Sequence, residues 1–83
     1  MPRFIDHHTQ LPMPSGEGLE ALRARVNAPP DANGVKGVNI LFAEDGSGYC
    51  LFDAPDADAV VNAHRASGVP IEEATVHQVT SLI

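Results

Sequence analysis

The chain has 83 residues with a near-average apolar content of 43%, which predicts one globular domain over residues 1–83. Its formal net charge of -6, from 11 acidic and 5 basic side chains, argues against binding to DNA, RNA or anionic membranes, which need clustered Lys and Arg. A single cysteine, no apolar run of the signal-peptide kind and no stretch near the roughly 20 apolar residues of a membrane span predict a cytoplasmic protein.

The chain opens with a predicted strand over residues 3–9. Successive side chains of a strand point to opposite faces. Asp6 and His8 therefore share one face, and Ile5 and His7 share the other.

A predicted helix separates this strand from the second one. Ser15 is suited to be the N-cap, and the helix should end before Pro29 and Pro30 because proline interrupts helical hydrogen bonding. The apolar stripe of this helix has helical spacing, at Leu19, Leu22 and Val26. The apolar, β-branched run at 38–43 predicts the second strand.

The stretch Tyr49-Cys50-Leu51-Phe52-Asp53-Ala54-Pro55 predicts the central strand of the sheet. The glycine-containing run at 45–48 predicts a hairpin turn before it, and Asp56 is suited to cap a second helix over 56–67. Gly68 suits the left-handed position that follows a helix. Residues 75–83 predict a fourth strand, in which His77 is expected to be solvated.

The resulting order is β-α-β-β-α-β, which predicts an α+β fold of the ferredoxin-like split βαβ type. In that fold four antiparallel strands lie in the spatial order 4-1-3-2 and both helices cover one face. A free face carrying Phe4, Phe52 or Ile40 would be an apolar patch that requires a partner. We therefore predict a homodimer that pairs through its sheet faces, which would also stabilise a domain of this size.

Three side chains are candidates for a metal site on the free face. The first strand neighbours the third, so Asp6, His8 and Cys50 share a face, and this is the free face if Ile5 and Leu51 point to the helices. Carboxylate, imidazole and thiolate suit a divalent ion such as nickel, zinc or cobalt. Residues of these types also meet by chance, and the chain has no CxxC or HExxH spacing.

Other interpretations apply to the remaining histidines and to the cysteine. We expect His64 to be a packed or hydrogen-bonded helix residue rather than a ligand, and His7 to be a helix-side or edge residue. Cys50 with His8 as its base is the enzyme alternative, but a thiol inside an apolar strand is more often a buried structural residue. No catalytic triad, phosphate loop or cofactor motif is present, so we do not expect an enzyme.

The chain resembles a family of small bacterial ferredoxin-like proteins, mostly of unknown function, that includes a Streptomyces nickel-binding protein. The resemblance lies in the central stretch 49–55, in Asp58-Ala59-Val60, in Ala63-His64-Arg65 and in Gly68-Val69-Pro70. Phe4-Ile5-Asp6-His7-His8 is similar to the first strand of the nickel-binding branch, where an aspartate is followed two residues later by a histidine. The chain departs from that branch at Val69-Pro70, since the branch tends to have Gly-His at this exit.

The resemblance implies a ferredoxin-like dimer with metal held by the sheet and the dimer interface. It implies Asp6 and His8 as ligands and matches Cys50 and His64 to family positions, so these four residues form the predicted metal set. We expect a cytoplasmic homodimer that binds a divalent transition metal, nickel, for storage, buffering or sensing, with affinity falling below about pH 6.5.

The alternative to a metal-binding protein is a small dimeric α+β barrel module that binds a small organic ligand or a protein partner. Such a module would hold its ligand in a cavity between sheet and helices. An apolar pocket lined by Phe42, Tyr49 and the helix stripes, without a histidine and carboxylate cluster, would favour this alternative.

Overall fold

The computed structural model describes residues 1–26, 28–68, 71, 75–80 and 82. The elements along the chain are β1 (Arg3–His8), α1 (Glu17–Arg25), β2 (Lys36–Phe42), β3 (Gly48–Asp53), α2 (Ala57–Ala66) and β4 (His77–Val79). The strands form a four-stranded antiparallel sheet in the order β2-β3-β1-β4, which is the predicted order. This small α+β fold is consistent with a ferredoxin-like arrangement. Within the described part of the chain, neither helix is long and apolar enough to cross a membrane.

The start of α1 and the extent of β4 differ most from the prediction. α1 begins after Gly16, whose φ of 58° lies in the left-handed region, so Ser15 is not the N-cap. The same helix ends at Arg25, before the prolines as predicted, and Val26 of the predicted stripe lies beyond it with extended backbone and a bridge to Gly37. β4 covers only His77–Val79 of the predicted segment, whose residues 81 and 83 lie outside the described residues.

The second helix forms where the sequence predicts it. The Asp56 carboxylate accepts a hydrogen bond from the Ala59 N–H at 2.8 Å and so satisfies a donor that the first turn leaves free. Gly68 follows the helix with φ of 72°, which glycine adopts at no steric cost. The buried face of α2 packs on the sheet, and the core consists of Phe4, Val35, Ala54, Ala59 and Val60.

The two faces of the sheet are reversed with respect to the prediction. β1 and β3 pair Phe4 with Phe52 and Asp6 with Cys50, so these residues share a face with His8. Phe4 is buried in the core beneath α2, and this face is therefore the covered one. The expectation that Asp6, His8 and Cys50 lie on a free face is wrong, although the three do share a face. Alternation along β1 could not decide the matter, because both of its faces carry one apolar residue.

The outer face of the sheet also differs in composition from the expected one. Phe4, Phe52 and Ile40 lie on the helix side, since Ile40 pairs with Cys50. The outer-face residues, defined by the same pairings, include Ile5, His7, Leu41, Tyr49 and Leu51. His7 pairs with Tyr49, and their rings lie 4.9 Å apart, so the helix-side placement is wrong of the two expected for His7, helix-side or edge. His77 is exposed, as predicted.

Candidate metal centre

The candidate site is built around one buried carboxylate. Asp6 is 1% exposed and lies in the middle of β1. Its Oδ1 accepts a hydrogen bond from the Cys50 N–H of the neighbouring strand at 3.0 Å. A buried carboxylate without further donors or positive charge would be strongly destabilising. The partners of Asp6 are two histidines that meet its other oxygen.

Two imidazole nitrogens converge on Oδ2 of Asp6. His8, two residues further along the same strand and therefore on the same face, places Nε2 at 3.2 Å. His64 of α2 places Nε2 at 2.9 Å. The two rings stack with centroids 5.4 Å apart and an interplanar angle of 28°. One ligand atom from each of the three residues therefore lies within 4.8 Å of the other two.

The orientation of His64 is set by its own helix. Its Nδ1 lies 2.8 Å from the carbonyl oxygen of Val60, one turn earlier in α2. A carbonyl can only accept a hydrogen bond, so Nδ1 carries the hydrogen and Nε2 is the atom directed at Asp6. The edge of the ring also meets Phe52, at a centroid distance of 5.5 Å. Metal-bound histidines commonly donate their second ring N–H to a carbonyl in this manner.

The electrostatics of the site balance burial against hydrogen bonding. Burial alone would raise the pKa of Asp6, but the hydrogen bond from His64, the charges of both histidines and the Cys50 N–H bring this pKa below its usual range. Burial alone would lower the pKa of His64, but its hydrogen bonds with Asp6 and Val60 raise it, against a smaller effect of Arg25. The pair Asp6–His64 is therefore stabilised as carboxylate and imidazolium.

The three groups fit a divalent transition-metal ion. Ligand atoms held about 2.1 Å from a common ion stand roughly 3 to 3.5 Å apart. The distances from Oδ2 to the two Nε2 atoms, 3.2 and 2.9 Å, are close to that spacing. Carboxylate oxygen and imidazole nitrogen are donors that nickel, cobalt and zinc accept. Oδ2 of Asp6 and the Nε2 atoms of His8 and His64, which form hydrogen bonds in the metal-free protein, are thus also placed to coordinate one ion.

Comparison with known proteins places the chain in a family. The family described as nickel responsive protein SCO4226-like matches residues 4–79. The chain belongs to this family. Neither the curated proteins nor the solved structures provide a match. The resemblance found in the sequence is confirmed, while its point of departure, Val69-Pro70, lies outside the described residues.

The structure of this SCO4226-like protein brings together three of the four predicted metal residues. Among the described residues, the groups close enough to share an ion are those of Asp6, His8 and His64. Cys50 is buried beside them, and burial, the charge of Asp6 and a hydrogen bond to Asp6 raise the pKa of its thiol to about 12. Cys50 therefore contributes its backbone N–H, and a role for its thiol as ligand stays a prediction.

His64 has a role that periodicity alone did not assign. It is packed and hydrogen-bonded, as expected of a helix residue, and it also completes the cluster around Asp6. The sequence signal that could have assigned His64 to the site is its position four residues after Val60. This spacing places a titratable side chain on the buried face of α2. A histidine on an apolar helix face needs a polar partner, and the pairing of strands supplies that partner only in the folded sheet.

A cavity of about 320 Å³ opens beside the cluster, between α1, α2 and the covered face of the sheet. His8 and His64 line one part of it. Its apolar wall includes Leu22, Val26 and Phe52. This pocket differs from the one expected for an organic-ligand module, because the described residues that line it include two histidines and do not include Phe42 or Tyr49.

Proposed function

We propose that this protein binds a divalent transition-metal ion, nickel, through Asp6, His8 and His64, in a cytoplasmic storage, buffering or sensing role without catalysis. The observation that supports the proposal is the convergence of two imidazole Nε2 atoms on Oδ2 of one buried carboxylate. The family description as nickel responsive supports nickel over the other ions of this class.

Each residue of the cluster has a distinct part in binding. Asp6 supplies the negative charge, and the Cys50 N–H holds its Oδ1 so that Oδ2 faces the histidines. His64 keeps its Nδ1 hydrogen on the Val60 carbonyl and releases the proton on Nε2 when an ion enters. Binding should therefore release protons, and these protons should come from the histidines.

The test is calorimetric titration of nickel, zinc and cobalt into metal-free protein. The wild type should bind one nickel ion per chain with micromolar or tighter affinity. Removal of a ligand should weaken binding at least a hundredfold in His8→Ala, His64→Ala and Asp6→Ala/His8→Ala, because each loses a first contact to the ion. His7→Ala is the matched control, since His7 is adjacent to His8 but lies on the outer face against Tyr49.

Two results would count against the metal site. Absence of saturable nickel binding by the wild type would refute it directly. Equal weakening by His7→Ala and His8→Ala would show that the binding group is not the covered-face cluster. Circular dichroism of each variant separates loss of a ligand from loss of the fold.

We further propose that two copies pair through the outer-face residues. Leu41 is 45% exposed and Tyr49 is 38% exposed, and both lie on the same face as Ile5 and Leu51. Sedimentation should show a dimer at micromolar concentration, and Leu41→Asp should dissociate it because a carboxylate would be buried in the interface. Met13→Asp, at a residue that is 64% exposed and outside the sheet, is the control. A monomeric wild type would contradict the dimer without affecting the metal site.

A further inference from the structure

The cavity beside the cluster has the size and wall of a small-molecule site. Its volume of about 320 Å³ lies at the lower end of the range for ligand pockets. Its apolar lining includes Leu22 of α1, Val26 at the end of this helix and Phe52 of β3. The imidazoles of His8 and His64 line the same space, so an ion held by these histidines would border the cavity.

The proposed metal site is incomplete without a further ligand. Three protein groups occupy fewer than the four or more positions that a divalent transition-metal ion fills. Among the described residues, those able to share an ion with Asp6 are His8 and His64. The remaining positions are left for groups that enter from outside, and the cavity that the two histidines line provides the space for them.

The charge at this end of the cavity favours an anion. The two positive charges of an ion exceed the one negative charge of Asp6. Arg25 lines the same cavity as His8 and His64. No ion pair of the described residues involves Arg25.

The carboxylate of Asp31, which also lines the cavity, is already partly engaged. It accepts the N–H groups of Asn33 at 2.8 Å and of Val35 at 3.0 Å. The charges left to attract an anion are therefore those of a bound ion and of Arg25, which both border the cavity.

We propose that the cavity binds a small chelating carboxylate with an apolar body. This ligand coordinates the metal ion directly. The carboxylate and a second donor atom of this ligand complete the coordination of the ion, the carboxylate also faces Arg25, and the apolar body packs against Leu22, Val26 and Phe52. This inference rests on the proposed metal site, because the ligand is held through the ion. It assigns to the protein the binding of a metal chelate rather than of a bare ion.

The probe for this site is picolinate, a flat pyridine carboxylate that chelates through nitrogen and oxygen. Nicotinate has the same size and charge but cannot chelate, and it is the matched control. Nickel is first titrated into the metal-free protein, which tests the metal site alone. Picolinate or nicotinate is then titrated into the nickel-loaded protein, and native mass spectrometry identifies what remains bound.

The expected product contains one chain, one nickel ion and one picolinate. Picolinate should bind the loaded protein roughly a hundredfold more tightly than nicotinate, because its two donor atoms act from one molecule. It should bind the metal-free protein no better than nicotinate does. The visible spectrum of the bound nickel should change on addition of picolinate, since two ligand atoms are added.

Arg25→Gln tests the contribution of the cavity. Picolinate affinity of the loaded protein should fall roughly fivefold, because an exposed guanidinium contributes a modest, salt-dependent attraction. Nickel affinity should stay equal or rise slightly, because a positive charge near the ion is removed. Arg23→Gln on the same helix is the control, since Arg23 lies next to Glu20 on the surface and not in the cavity.

The outcomes separate the two proposals. Failure of nickel to bind would overturn the metal site and the chelate site together. If nickel binds and picolinate then removes it from the protein, the chelate site alone is overturned. The same holds if nickel binds and the loaded protein then binds picolinate and nicotinate equally. Equal effects of Arg25→Gln and Arg23→Gln on picolinate affinity would show that picolinate does not bind in the cavity, and would also overturn the chelate site.

Discussion

Replacing Asp6 by asparagine should expose how much the Asp6–His64 pair stabilises the metal-free protein. Asparagine keeps the shape of the side chain and can still accept the Cys50 N–H that now reaches Oδ1. The charged contact of 2.9 Å from Oδ2 to Nε2 of His64 becomes a neutral hydrogen bond. A hydrogen bond to a charged group contributes about 1.5 to 3 kcal/mol and a neutral one about 1 kcal/mol. We therefore expect Asp6→Asn to lose about 1.5 kcal/mol near pH 5.5, which lowers Tm by roughly 10 °C for a domain of this size.

This loss should depend on pH in a defined direction. The pKa of His64 is raised in the folded protein, so its contribution is complete below the unfolded value of about 6.5 and is lost as the pH rises through the folded value. The pKa of Asp6 is lowered, so its contribution is present above about 3.8 and is lost as the pH falls through the folded value. The gap in stability between wild type and Asp6→Asn should therefore be widest between about pH 4 and pH 6.5 and should narrow in alkaline solution.

The assay is thermal unfolding followed by circular dichroism, with a chelator present, at about pH 5.5 and about pH 8.5. Asp58→Asn, at an exposed acidic residue of α2, is the control for removal of one negative charge. A Tm difference between wild type and Asp6→Asn that is equal at both pH values would refute the reasoning. Such a difference would have to arise from packing, because packing does not change with the proton shared by Asp6 and His64.

The remaining predictions concern nickel, the thiol and the helix cap. Nickel affinity measured by calorimetry should be at least tenfold weaker at about pH 6 than at about pH 8, because the raised pKa of His64 keeps a proton on its ligand atom; equal affinities would exclude histidine ligands. Cys50 should react with a thiol reagent at about pH 8 roughly a thousandfold more slowly in the folded than in the urea-unfolded protein, because burial raises its pKa to about 12; rapid labelling of folded protein would contradict the buried thiol. Asp56→Ala should lower stability by about 1 kcal/mol in urea unfolding, because the Ala59 N–H loses its acceptor, and an unchanged midpoint would show that the cap contributes nothing.

Local sequence determined the elements and their order in this protein. The Asp56 cap, the positive φ of Gly68 and the turn at Gly46, with φ of 89°, are decided by residues a few positions apart. The order of strands and helices then left few topologies, and the split βαβ arrangement is the one observed. The residue types of Asp6 and His8 and their spacing of two were also sufficient to place them on one face as candidate ligands.

Only the tertiary structure decided which face that was and what completed the site. Strand alternation places Phe4 and Phe52 on one face and Ile5 and Leu51 on the other. Because both sets are apolar, alternation does not show which face the helices cover. The packing of α2 onto the Phe4 side turned Asp6 inwards and brought His64, 58 positions away in the sequence, to 2.9 Å from its carboxylate. A contact between a strand and a helix that are far apart in the sequence depends on how side chains pack between the sheet and the helices. This packing is a property of the whole fold rather than of any one segment.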